Sequence, residues 1–168
     1  MIEAIVYTSN TGHTRAYAKM LGVKTGLPVL SMEEAGEFLK KNAEIIYMGW
    51  LFASNVRGYP KAFRRYRIRC VCGVGLGDTG AQDIPVRKAT EIPDTIPLFT
   101  LQGGMDYSRL TGINKFMIDM LTFMLSHKTG RTEDETKMLA LIQTGGYYVD
   151  ETHLSEVLSW YEMQKEHV

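Results

Sequence analysis

The chain has 168 residues, 45% of them hydrophobic, so it can bury one full core and has the size of a single domain over residues 1–168. Lysine plus arginine equal aspartate plus glutamate at 19 each, and a formal net charge of zero excludes the basic field that nucleic-acid binding needs. The longest apolar stretch, Phe116 to Leu125, is broken by Asp119 and Thr122 and is about half the ~20 residues of a transmembrane segment; the first strand begins almost at once, so no signal peptide is expected and the protein is placed in the cytoplasm.

Ile2 to Tyr7 reads as a buried parallel strand and Thr14 to Leu21 as the first turns of a helix. Between them, Thr8-Ser9-Asn10-Thr11-Gly12-His13-Thr14 falls at a helix N-terminus. Unpaired backbone N–H groups and the helix dipole favour an anion there, and the hydroxyls of Ser9, Thr11 and Thr14 add donors. The loop has no lysine or arginine, and the pattern G-x-x-x-x-G-K-[ST] is absent. It therefore suits a phosphate monoester better than a nucleoside triphosphate with its metal. His13 reads either as a partly exposed residue of the first helical turn or as a phosphate ligand and proton donor.

Pro28 to Leu30 is a second strand and Ala43 to Gly49 a third, followed directly by Trp50-Leu51-Phe52-Ala53-Ser54. Strand alternation sends Trp50 and Phe52 to one face. A helix is expected over Tyr59 to Tyr66, inside a basic run of Lys61, Arg64, Arg65, Arg67 and Arg69 that reads as a solvated face. Ile68 to Val74 is the fourth strand. Cys70 and Cys72 share a face there, which makes a disulfide awkward and favours two small buried side chains.

Gly75-Leu76-Gly77-Asp78-Thr79-Gly80 satisfies G-x-G-x-x-G, but it follows the fourth strand, Pro85 interrupts the next helix, and no strand-ending acid follows about 20 residues on, so a dinucleotide fingerprint is discounted. The two glycines instead let backbone amides approach a ligand. Residues 77–94 read as a loop around a short helix, broken by Pro85 and Pro93. Ile96 to Leu101 is a fifth strand. Five strands with crossover helices make an α/β protein with a parallel sheet and right-handed connections, whose ligands bind beyond the carboxyl ends of the strands.

After this strand, Asp106 and Tyr107 form a polar pair that either orients a substrate or, through Asp106, caps the next helix. Ile113 to Leu125 is helical, with Lys115, Asp119, Thr122 and Ser126 as a single narrow polar stripe; such a helix is expected to be covered on most sides. Methionines 117, 120 and 124 read as core, the alternative being a hydrophobic surface for a lipid-soluble substrate or quinone. Thr132 and Glu135 make a capping box, and Thr136 to Ile142 continues as a helix stopped by Gly145-Gly146. Asp150 to Gln164 closes the chain as an amphipathic helix with Leu154, Val157, Leu158 and Tyr161 inward.

The order Ser9-Asn10-Thr11-Gly12-His13-Thr14 directly after a first strand resembles the flavodoxin phosphate loop, S/T-x-T-G-x-T, which in that family holds the phosphate of flavin mononucleotide (FMN). Gly75-Leu76-Gly77-Asp78 resembles the flavodoxin G-L-G-D at the pyrimidine end of the flavin. Gly103-Gly104-Met105-Asp106-Tyr107-Ser108, followed by Phe116-Met117-Ile118, is similar to the last third of flavodoxin-fold protoporphyrinogen oxidases and their clostridial-type relatives. The resemblance covers nearly the whole chain. It implies a three-layer flavodoxin-like sandwich with a five-stranded parallel sheet of order 2-1-3-4-5, and FMN as cofactor. In it at least one of Trp50 and Phe52 packs against the ring, the other being core, Leu51, Ala53 and Ser54 offer backbone groups, and Gly103, Gly104 and Tyr107 lie near the open ring edge.

The function it implies is electron transfer through the flavin, with a redox partner protein or a small reductant. The alternative is an oxidoreductase of protoporphyrinogen oxidase type or a quinone-linked dehydrogenase with a membrane-linked acceptor. Electron-carrying flavodoxins resemble each other in being strongly acidic, and this chain lacks that field. A phosphoacceptor receiver domain shares the fold but needs an acidic pair after the first strand, where Thr8 and Ser9 stand.

Overall fold

The computed structural model describes residues 1–166. Its strands are β1 (Ala4–Thr8), β2 (Val29–Ser31), β3 (Glu44–Phe52), β4 (Asn55–Val56), β5 (Arg67–Gly75), β6 (Leu98–Gln102), β7 (Gly104–Met105) and β8 (Gly146–Tyr147). The helices are α1 (His13–Thr25), α2 (Met32–Phe38), α3 (Tyr59–Arg65), α4 (Asp83–Thr90), α5 (Gly112–His127), α6 (Glu133–Thr144) and α7 (Ser155–Glu166). The long strands pair in parallel in the order β2-β1-β3-β5-β6, which is the expected 2-1-3-4-5 arrangement of a three-layer flavodoxin-like sandwich.

Strand alternation sorts the core into two layers. Ala4, Val6, Ile45, Tyr47 and Val71 face α2, α3 and α4 through Ala35, Ala62 and Val86. Ile5, Ile46 and Met48 face α1 and α7 through Tyr17, Leu21, Val157 and Tyr161. A register shift in β5 reverses its parity: Ile45 pairs with Ile68, but Ile46 pairs with Cys70, leaving Arg69 over as a bulge. Ile68 therefore points to the first layer and both cysteines, fully buried, to the second.

Several elements depart from the sequence reading. The short helix α2 was not expected, although it starts with a complete capping box: the Glu34 N–H donates to Ser31 Oγ at 3.2 Å and the Ser31 N–H to Glu34 Oε2 at 2.7 Å. The β3–β4 hairpin turns through Ala53 (φ 47°) and Ser54 (φ 62°), the left-handed pair of a type I′ turn. Thr90 pins it by donating to Ser54 O at 3.2 Å and accepting from the Val56 N–H at 3.0 Å. Pro85 does not interrupt α4. It sits in the first turn, where the missing N–H has no helical acceptor to lose.

The expectation that the apolar helix α5 is covered on most sides is wrong. Only Ile118 and Leu125 are buried, while Ile113, Phe116, Met120, Phe123 and Met124 are exposed. The reason is that α5 packs chiefly on α6, so this pair forms a flap over the carboxyl edge of the sheet with one side in solvent. Methionines 120 and 124 are consequently not core. Among the described residues no helix is long and apolar enough to cross a membrane.

Candidate functional site

β1 ends at Thr8, and the chain must turn sharply to enter α1. Gly12, at the helix N-cap with φ 101°, supplies the left-handed turn. Ser9 Oγ ties the loop from within, accepting from the N–H groups of Gly12 at 3.2 Å and Arg15 at 3.4 Å. The N–H groups of Thr11, His13 and Thr14 have no protein acceptor among the described residues, so the start of α1 presents a set of free donors.

His13 is buried, which corrects the partly exposed reading. Its Nδ1 lies 2.7 Å from Thr11 Oγ1 and its ring 5.5 Å from that of Tyr147. Gly104 packs over it so closely that a Cβ there would come within 3.2 Å of His13 Nε2. Burial holds the His13 pKa below its ordinary 6.5; Asp106 pulls it up, and Arg109 pushes it further down. The ring is therefore neutral at pH 7. Because the unfolded chain binds the proton more readily, this contribution to stability is complete above about pH 6.5 and is lost as pH falls through the folded-state pKa. Melting temperature should drop more for the wild type than for His13→Gln between about pH 7.5 and about pH 5.5. Equal drops would mean that His13 does not titrate differently on folding.

The loop without a basic residue of its own receives one from 98 positions away. Arg109 Nη1 donates to Thr11 O at 2.9 Å, and its Nε lies 3.6 Å from Asp106 Oδ2. Asn114, in the first turn of α5, donates to Asn10 Oδ1 at 3.2 Å. Asp106 makes no capping bond; it accepts from Ser108 Oγ and faces Arg109.

Beyond the loop opens a hollow at the carboxyl ends of β1, β3 and β5. It is lined by Ser9, Asn10, Thr11, His13 and Thr14 of the loop and by Trp50, Leu51, Phe52, Ala53 and Ser54 of the hairpin. Val74, Gly75, Leu76 and Gln82 at the end of β5, Gly104, Met105 and Leu110, and Ile118, Leu121 and Met138 from the flap complete the lining. Free volume inside is about 140 Å³, rising to about 880 Å³ with the open mouth. Small-molecule sites generally run from about 300 to 1,000 Å³, so a ligand of that size lies partly in the mouth with one edge toward solvent.

Trp50 and Phe52 meet edge-on, 6.3 Å between ring centroids, on one side of β3 as alternation requires. The Arg57 guanidinium lies 5.7 Å from the Trp50 ring centre. Gly75 and Gly77 also admit neighbouring side chains: Leu51 packs against Gly75, and Gln82 against both, where a Cβ would come within 2.8 Å of Leu51 Cδ1 and of Gln82 Cδ.

Six of the expected residues stand off the walls. Thr8 lies beneath, with Oγ1 2.8 Å from the Tyr47 hydroxyl, and Gly12 lies on the outer side of its loop. Gly77 and Asp78 face an adjoining recess beside Asp134 and Lys137. Gly103 is buried behind Val74. Tyr107 is turned outward, its hydroxyl donating to Asp119 Oδ1 at 2.5 Å and its ring beneath Lys115. The sequence reading in turn missed Gln82, Met105, Leu110, Leu121, Met138 and Arg109. His13 is the one titratable side chain on the walls among the described residues. Comparisons of the chain with models of known protein families, with curated proteins and with solved structures found no match.

Proposed function

We propose that the hollow binds FMN and that the protein passes electrons through it. The observation that supports this reading is one continuous hollow running from the free N–H groups of the anion loop to the aromatic hairpin. A phosphate monoester fits the loop's N–H groups and the hydroxyl of Thr14, with the Arg109 guanidinium held on the same loop through Thr11 O. The apolar lining of Trp50, Leu110, Ile118 and Met138, with Phe52 packed against the flap residues, suits a flat, largely apolar ring system lying toward the mouth. Bound FMN would supply the redox chemistry, and the chain supplies binding, orientation and exclusion of water.

Electron transfer is favoured over oxidation of a small substrate by what the ring end lacks. Removing hydrogen from a substrate is accelerated by a group placed to accept a proton. His13 sits at the phosphate end, and the pair that could have served, Asp106 and Tyr107, is engaged by Arg109 and Asp119. A redox partner protein or small reductant then delivers electrons at the open edge, in a cytoplasmic setting.

The two functions separate in an anaerobic mixing experiment on FMN-loaded protein. A flavin reductase with its nicotinamide nucleotide should bleach the flavin at a rate unchanged by Tyr107→Phe, while protoporphyrinogen and hydroquinones should bleach it slowly or not at all. Fast bleaching by one of these small substrates, slowed on the order of a hundredfold in Tyr107→Phe, would make the enzyme reading primary.

A further inference from the structure

Helix α5 is apolar on two opposite sides, and only one of them is used. Ile118 and Leu125, seven residues apart, are buried, with Leu121 beside them on the wall of the hollow. On the opposite side Ile113, Phe116, Met120 and Phe123 recur at intervals of three, four and three, and they are 73%, 60%, 47% and 64% exposed. This is the spacing of a heptad seam, the pattern by which a helix pairs with another helix. Met124, 60% exposed, widens the seam on one flank. On the other flank stands Asp119, whose carboxylate accepts from the Tyr107 hydroxyl.

We propose that this seam is a homodimer interface, in which α5 packs against α5 of a second copy across a two-fold axis passing between Phe116 and Met120. A two-fold contact needs a surface complementary to itself, and an axis at the middle of the seam, between Phe116 and Met120, would set Phe116 of each copy against Met120 of the other. The five exposed side chains offer roughly 600 Å² of apolar surface, most of the ~800 Å² that each partner brings to a standard interface. A chain of zero net charge carries no overall repulsion between copies. A lipid surface is the poorer match. Helices that lie in a membrane interface have lysine and arginine lining the polar face, whereas the polar positions of α5 between Gly112 and Ser126 hold one lysine and one aspartate.

The pairing stands apart from the flavin reading, because none of the four seam residues lines the hollow. Sedimentation of the full chain over a wide dilution series should show a reversible monomer–dimer equilibrium. Phe116→Glu combined with Phe123→Glu should raise the concentration needed for dimerisation by at least roughly a hundredfold, with unchanged circular dichroism, since both rings are already exposed. Met120→Lys should act in the same direction should the double variant lose its fold. As an independent measurement, Met120→Cys should be crosslinked to its counterpart by a short bifunctional maleimide, and Val23→Cys, exposed on α1, should not; native Cys70 and Cys72 are buried. A monomer at all concentrations, a dimer that survives the seam substitutions, or a monomer that pellets with anionic phospholipid vesicles through this face would each overturn the proposal.

Discussion

Gly58→Ala is expected to destabilise the protein by about 3 kcal/mol or more, combining left-handed strain with overpacking against the buried Tyr47. Gly58 has φ 80°, and a Cβ there would lie 2.2 Å from the Tyr47 hydroxyl and 2.7 Å from Thr8 Oγ1. That hydroxyl is fully engaged: it donates to Arg57 O at 2.7 Å and lies 2.8 Å from Thr8 Oγ1. Burial pushes the Tyr47 pKa up to about 12, so the phenol stays neutral and cannot escape to water by ionising. The methyl group must therefore displace a hydrogen-bonded hub joining the end of β1, where the anion loop begins, to the turn after the aromatic hairpin. Gly26 supplies the control. It has φ 74° with open space around its Cβ position, so Gly26→Ala should cost only the backbone strain, about 1–2 kcal/mol. Urea unfolding of the two variants measures the difference, and equal losses would mean that the contact at Tyr47 relaxes freely.

Thr11→Ala should weaken FMN binding by about 1–3 kcal/mol, roughly fivefold to a hundredfold or more in Kd. Thr11 contributes a free N–H to the loop, and its hydroxyl pairs with His13 Nδ1 at 2.7 Å. Alanine keeps the N–H but removes that hydroxyl, which releases the imidazole that it orients beside the proposed phosphate position. Riboflavin, which has no phosphate, should bind the wild type and the variant alike. Titration with both ligands separates the effects: an equal loss for the two would trace to a general change in the hollow, and an unchanged FMN affinity would place the phosphate elsewhere.

Much of the scaffold was legible because its signals are local. The apolar runs ending at Tyr7, Gly49, Val74 and Leu101 became the parallel strands β1, β3, β5 and β6, and the Thr132–Glu135 capping box opened α6 as read. Trp50 and Phe52 share a face because strand alternation fixes it. What escaped depends on contacts between distant residues or on backbone states that composition does not announce. An Ala53-Ser54 turn carries none of the Asn-Gly chemistry that marks a type I′ hairpin. α2 is seven residues long and buries only Ala35, too little for an amphipathic pattern. Arg109 reaches the anion loop, and His13 is buried there, only because the segment after β6 folds back across it. Two apolar stripes on α5 look in sequence like one helix covered on most sides, and only the position of the flap tells which stripe is left in solvent.

The loop at the start of α1 and the hollow beside it are proposed to form an FMN site. The most direct test is to incubate the purified protein with a mixture of FMN, FAD and riboflavin, remove unbound flavin, denature the protein and chromatograph what is released. One proposed phosphate site, with no second cradle for an adenosine monophosphate moiety among the described residues, predicts FMN as the retained flavin, near one equivalent per chain. FAD as the sole flavin, or a protein that retains no flavin at all, would contradict the account.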